Sequence, residues 1–138
     1  MNHWLVKSEP FAFSWDEFEK AGKSVWDGVR NYQARNNLKA MQKGDWVFFY
    51  HSNEGLEIVG IAQVSQEAYP DPTTEDPRWV VVELVPVLKL KRPVSLQQIK
   101  SDNRLQQIAL IRQSRLSVMP IKPEEFDLIL SFSNDENT

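Results

Sequence analysis

The sequence predicts an α+β fold, a small curled or barrel-like sheet with short helices interleaved among its strands. Apolar, β-prone stretches recur at uneven spacing, with short helical patterns between some of them. No regular strand–helix–strand period runs through the chain, which argues against a doubly wound sheet. A length of 138 residues suits one core, so one domain is expected over 1–132, followed by a disordered tail at 133–138.

The elements follow in order. "HWLVK" (3–7) is short and apolar and is stopped by Pro10, which makes it an opening strand. "SWDEFEKAG" then carries a helix over 15–21, with Ser14 as N-cap, Glu17 as its capping-box partner and Gly22 at the stop. From Asn31 the period changes. Ala34, Leu38 and Met41 recur on one face, while Tyr32, Arg35, Asn36, Lys39 and Lys43 fall on the other. "KGDWVFFYH" (43–51) turns at Gly-Asp into a buried strand, and "LEIVGIAQVSQ" (56–66) is its antiparallel partner across "SNEG". "YPDPTTEDP" (69–77) holds three prolines without periodicity and reads as a loop. "RWVVVELVPVLKL" (78–90) returns to strand, with Pro86 marking an edge or a bulge. Ser95 caps a short helix through "LQQIK", "RLQQIALIR" adds a weak helical turn or two, "RLSVM" is a short strand, and "KPEEFDLILSF" is a closing helix with Pro123 and two Glu in its first turn.

Composition narrows the function classes. No apolar run approaches the roughly 18 residues of a membrane span, and "MNHWLVKSEP" has no signal-peptide pattern, so a soluble, cytoplasmic protein is expected, with a monomer favoured. With no cysteine and two distant histidines, His3 and His51, neither a metal site nor a cofactor is expected. No dinucleotide, P-loop or nucleophile-elbow motif is present. His51 and Ser52 are adjacent and point to opposite faces of a strand, which makes them a poor catalytic couple. No catalytic residue is therefore assigned; an enzyme using His51 with Glu9 on a nucleotide stands as an alternative.

The net charge of −3 conceals a bias. Residues 86–122 hold eight basic residues against Asp102 alone, a local balance of +7 that leaves −10 for the rest. Such a segment suits either a phosphate-facing surface, with affinity falling as salt rises, or a solvated face neutralised by its neighbours. The phosphate-binding candidates are Lys91, Arg92, Arg112 and Arg115 from this segment, joined by Arg35 and Lys39 from the outer helix face.

"WDGVRNYQARN" (26–36) concentrates planar and amide side chains of the kind that recognise nucleobases. Trp26 offers a stacking surface, Asn31 or Asn36 an edge-reading amide, and Arg30 or Arg35 a phosphate or stacking contact. The same residues also suit a plain structural reading, with Trp26 in the core and Arg30 and Asn31 bracing the Gly28 turn.

"WLVKSEP" (4–10), "WDGVRNYQARN", "GDWVFFYHSN" (44–53), "VGIAQVSQEAYPDP" (59–72) and "RLSVMP" (115–120) together resemble the EVE domain family, in order and spacing across nearly the whole chain. The resemblance implies a PUA-like small β-barrel, its sheet mixed and mostly antiparallel and flanked by short helices, related in fold to the YTH readers. It also implies a non-catalytic module that holds a modified nucleobase, with 5-methylcytosine or 5-hydroxymethylcytosine in DNA as the leading ligands. RNA binding, or an accessory role in RNA modification or protein interaction, remains open on the same barrel. By the same resemblance the pocket residues are Lys7, Ser8, Glu9, Trp26, Gly28, Val29, Arg30, Asn31, His51, Ser52 and Ser117. One departure stands out, since only "TTEDPR" separates Pro72 from Trp79 where family members carry a longer loop. Trp79 is the residue expected to replace the missing wall.

Overall fold

The computed structural model describes residues 1–134. In chain order its elements are β1 (His3–Ser8), α1 (Trp15–Ala21), β2 (Ser24–Val25), α2 (Tyr32–Ala40), β3 (Trp46–His51), β4 (Glu57–Pro70) and β5 (Val80–Ser95). There follow α3 (Leu96–Lys100), a 3₁₀ turn (Asn103–Leu105), α4 (Ala109–Arg112), β6 (Val118–Ile121) and α5 (Pro123–Asn134). The six strands form one sheet in the order β2-β5-β4-β3-β1-β6. β1 pairs with β3 in parallel, and every other neighbour is antiparallel.

The α+β class is as the sequence predicts and the mixed, mostly antiparallel sheet is as the resemblance implies, but the sheet does not close into a barrel. Its edge strands are β2, of two residues, and β6, of four. α2 packs against β4, β5 and β6, so a helix spans the gap that strand pairing would close in a barrel. Register shifts along the long β4–β5 pair, one of them at the Ala62–Pro86 step, bend those strands, as the proline in β5 led one to expect.

Other differences are local. β4 takes in Tyr69 and Pro70 from the expected loop, and β5 continues to Ser95 through Pro93. α5 runs to Asn134, and Ser133 is buried with its hydroxyl accepting from the Arg92 N–H, so the expected tail does not begin at 133. The remainder of that tail, 135–138, lies outside the described residues. Among the described residues no helix is long and apolar enough to cross a membrane.

Aromatic residues fill the core beside the β1–α1 connection. Phe49 on β3 stacks on Phe18 at 5.3 Å and meets the rings of Trp15 and Trp26 edge-on at 5.4 and 5.7 Å. Trp15 is 2% exposed, and its indole N–H donates to Glu19, which fixes the ring on both sides. Gly60 on β4 lies directly beneath it, and a Cβ there would stand 2.5 Å from the Trp15 ring. Because the ring is locked, the clash has no cheap escape. Gly60→Ala is expected to destabilise the fold by about 1–3 kcal/mol, seen as a lower urea midpoint at unchanged m-value. An unchanged midpoint contradicts this packing.

Candidate functional site

The end of β1 and the segment that enters α2 face each other across a cleft of about 620 Å³. One wall is Lys7, Ser8, Glu9, Ala12 and Phe13, and the other is Ser24 to Val29. β1 is positioned by partners on both sides. Ser8 pairs with His51, the Lys7 N–H donates to the Ser117 carbonyl, and the Ser52 N–H donates to the Ser8 carbonyl. The Ser8 hydroxyl donates to the Phe13 carbonyl, which folds the following turn back onto the strand.

The opposite wall is fixed by a buried carboxylate. Asp71, 2% exposed, accepts from the Gly28 N–H at 3.1 Å, from Arg30 Nη1 at 2.9 Å and, through its other oxygen, from the N–H and hydroxyl of Thr73. Burial alone pushes this carboxyl up. The hydrogen bonds from Thr73, Arg30 and Gly28 outweigh it and hold the group well below the usual carboxylate range. Gly28 adopts a φ of 74°, a left-handed conformation that costs glycine least. Trp26 hangs from β5 through its N–H to the Val82 carbonyl and rests edge-on against Phe49, which leaves it 9% exposed on the cleft wall.

A second concavity, of about 390 Å³, is lined by Asn31, Gln33 and residues 112–116. Its charged side chains are Arg112 and Arg115, with no acidic group on the wall. Lys7 links the two hollows. It lines the first, and its ammonium donates to the Ser114 carbonyl, 2.7 Å away, at the second. Burial draws that ammonium below its ordinary pKa.

The predicted residues are thereby sorted. Lys7, Ser8, Glu9, Trp26, Gly28 and Val29 share the larger cleft, whereas Asn31, Arg112 and Arg115 share the smaller one. Asn31 also caps α2, its side-chain oxygen accepting from the Ala34 N–H. Arg30 faces away from the cleft to Asp71, and its guanidinium lies over the Trp79 ring at 5.6 Å, so it braces the turn. Trp79 packs against Tyr32 at 5.2 Å with the rings tilted by 30° and walls neither hollow, which corrects the expectation that it replaces a missing lid.

His51 lies off the cleft wall. Its Nε2 accepts from the Trp15 N–H at 3.1 Å at the start of α1, so the lone pair a general base needs is engaged. Burial lowers its pKa, against the opposing pull of Glu57 and Asp16. Ser52 and Ser117 touch the site through their backbones.

Arg35 lies over the Tyr32 ring and bonds Asn36, while Lys39 is exposed on α2. Lys91 and Arg92 belong to the part of β5 that packs against α5. The basic segment is thus divided, with Lys89 near Asp16, Arg104 paired to Asp102, and only Arg112 and Arg115 at a concavity beside the cleft. Among the described residues no group of three or more His, Asp or Glu side chains is placed to hold a metal ion. Sequence reasoning passed over Asp27, Phe13 and Asp71, although Asp27 and Asp71 both lie inside the quoted motifs.

A family model described as the EVE domain matches residues 2–132. The chain belongs to the EVE domain family. Thymocyte nuclear protein 1 of Mus musculus is 38% identical over 169 aligned residues, covering 98% of this chain and 75% of the mouse protein. That span exceeds the 138 residues here, so the mouse protein carries insertions within the EVE domain alignment. A crystal structure of human THYN1 in complex with DNA containing 5-methylcytosine is 36% identical with a TM-score of 0.91, covering 99% of each chain. The YTH domain of Zygosaccharomyces rouxii MRB1, solved with N6-methyladenosine RNA, is 15% identical at a TM-score of 0.60 over 99% of this chain and 87% of its own, a likeness of fold alone.

Asp71 ties pH to stability in this EVE domain. A depressed folded-state pKa contributes stability that is fully present above the ordinary value of 3.8 and is lost as pH falls through the lower, folded-state value. Asp71→Asn is expected to cost about 1–3 kcal/mol at neutral pH and to flatten the fall in stability below about pH 4. Urea unfolding at neutral and acid pH measures both, and an equally steep acid loss in the variant contradicts the assignment.

Proposed function

We propose that this protein is a non-catalytic reader of modified cytosine in DNA, with the base held in the cleft between residues 7–13 and 24–29 and flanking phosphates held at the concavity of Arg112 and Arg115. The observation that carries this reading is the separation of charge between the two hollows. The cleft has an aromatic wall, Trp26 and Phe13, with two exposed carboxylates, Glu9 and Asp27, and a single cation. Carboxylates repel phosphate but accept from the N4 amino group of cytosine, and a donor such as Lys7 suits the ring's acceptors. The neighbouring hollow has the opposite character, with two arginines and an amide. Support also comes from the human relative solved with 5-methylcytosine DNA.

The energetics are sufficient for such a complex. Extruding a base costs a few kcal/mol, and aromatic contact of about 1–3 kcal/mol with edge hydrogen bonds offsets it. A 5-methyl group adds about 1–3 kcal/mol at most in an apolar setting, so preference over plain cytosine is modest. Preference over thymine is larger, because thymine carries the same methyl group but an acceptor O4 facing the carboxylates in place of the N4 amino group.

Titration of oligonucleotides that differ only in one base, 5-methylcytosine, 5-hydroxymethylcytosine, cytosine or thymine, tests this reading. Tighter binding of 5-methylcytosine than thymine by about tenfold or more is expected. Replacing both exposed carboxylates, Glu9→Ala with Asp27→Ala, should abolish that preference without loss of fold. Trp26→Ala should weaken binding of every base, although it also empties a packed site against Phe49. Equal affinity for 5-methylcytosine and thymine, or a preference untouched by the carboxylate variant, overturns the proposal.

A further inference from the structure

The turn between β1 and α1 carries an aromatic residue with no structural task. Phe11 is 89% exposed, against 53% for Tyr32, the next most exposed aromatic residue among the exposed large hydrophobics. A bare phenyl ring in water is unfavourable by an amount that burial would recover. Its mount is rigid. Pro10 restricts the backbone before it, the N–H groups of Ala12 and Phe13 both donate to the Glu9 carbonyl, and the Ser8 hydroxyl closes the turn on the Phe13 carbonyl. Phe13, two residues on, is anchored among Phe18, Trp26 and Phe49. The ring is therefore presented from a fixed base rather than from a loose loop.

Its place gives the exposure meaning. Lys7, Ser8, Glu9, Ala12 and Phe13 form one wall of the cleft, and Phe11 sits in the turn between Glu9 and Ala12, beside the hollow assigned to the base without lining it. A protein that draws a base out of a duplex leaves an unstacked gap, and apolar side chains inserted between base steps are a general means of filling such a gap. We infer that Phe11 is a wedge that enters the DNA stack at the position vacated by the extruded base, making intact duplex DNA, rather than single strands alone, a substrate of this site.

This inference rests on the base-reading proposal, and its test separates the two. Affinities are measured by fluorescence anisotropy for a duplex with one paired 5-methylcytosine, for a single strand of the same sequence and for that strand with thymine in place of the 5-methylcytosine, using wild type, Phe11→Ala, Phe11→Leu and the Glu9→Ala/Asp27→Ala variant. The wedge predicts that Phe11→Ala weakens duplex binding about tenfold or more and changes single-strand binding by less than about twofold, while Phe11→Leu, still an apolar wedge, keeps most of the duplex affinity. It also predicts that 2-aminopurine placed beside the modified base brightens when wild type binds and does so less with Phe11→Ala. Equal effects of Phe11→Ala on duplex and single strand, or no effect on either, overturn the wedge. Failure of the base-reading proposal has a different signature, an unchanged preference for 5-methylcytosine over thymine on the single strand in the carboxylate variant. Phe11 is almost wholly exposed, so thermal melting of Phe11→Ala is expected to match wild type.

Discussion

The buried carboxylate of Asp71 is the constraint on which the site depends. It gathers the Gly28 N–H, the Arg30 guanidinium and both donors of Thr73, and so binds the turn before α2 to the start of the long β4–β5 connection. An unpaired carboxylate at that depth is costly, and the chain meets the cost by bringing these donors to it. The resulting geometry fixes one cleft wall. Gly28 takes its left-handed turn, Trp26 is set against Phe49, and Asn31 is delivered to cap α2. Outside this knot a second layer holds the connection to α2, with Arg30 over Trp79, Trp79 on Tyr32, and Arg35 over Tyr32 in turn.

The other wall is held by the strand order. β1 lies between a parallel partner and an antiparallel one, so its carbonyl and amide groups beyond the ladder are taken up by Ser52 and Ser117. That accounts for motifs far apart in the chain meeting at one place. His51 contributes by holding the start of α1, and this structural duty is why it is unsuited to the general-base role. With both walls held by hydrogen bonds, the cleft and the arginine-lined hollow are linked through Lys7, which lines the first and donates to the Ser114 carbonyl at the second. Under the proposed reading, the acidic, aromatic hollow takes the hydrogen-bonding ring of a nucleotide and the basic one its phosphate.

Legibility in the sequence followed the range of the interactions. α1 was readable because its signals are local, and Ser14, Glu17 and Gly22 do what their spacing implies. The same holds for Ser95 and α3, and for the buried face of α2. β2 was missed because two residues carry no periodicity, and β5 was cut short because Lys91, Arg92 and Pro93 read as an end to the strand although Ser95 still pairs with Glu57. The open sheet was read as a barrel because pattern alone does not reveal that α2 fills the gap. Asp71 was hidden in a proline-rich stretch, since the partners that tie it to the cleft wall, Gly28 and Arg30, lie about forty positions away and leave no periodic mark. The basic bias between 86 and 122 was real in one dimension, but a strand, three helical segments, the lead-in to β6 and the link from β6 to α5 carry those charges to different faces. Within "WDGVRNYQARN", planar residue types drew attention to Arg30 and Asn31, which are largely structural, and away from Asp27, which lines the cleft.

The most direct measurement is a crystal structure of this protein with a DNA duplex carrying one 5-methylcytosine. The account predicts the modified base outside the helix and inside the cleft, with its N4 within hydrogen-bond distance of the Glu9 or Asp27 carboxylate and an adjacent phosphate at Arg112 or Arg115. A base still stacked in the duplex, or DNA lying on a face remote from residues 7–13 and 24–29, contradicts it.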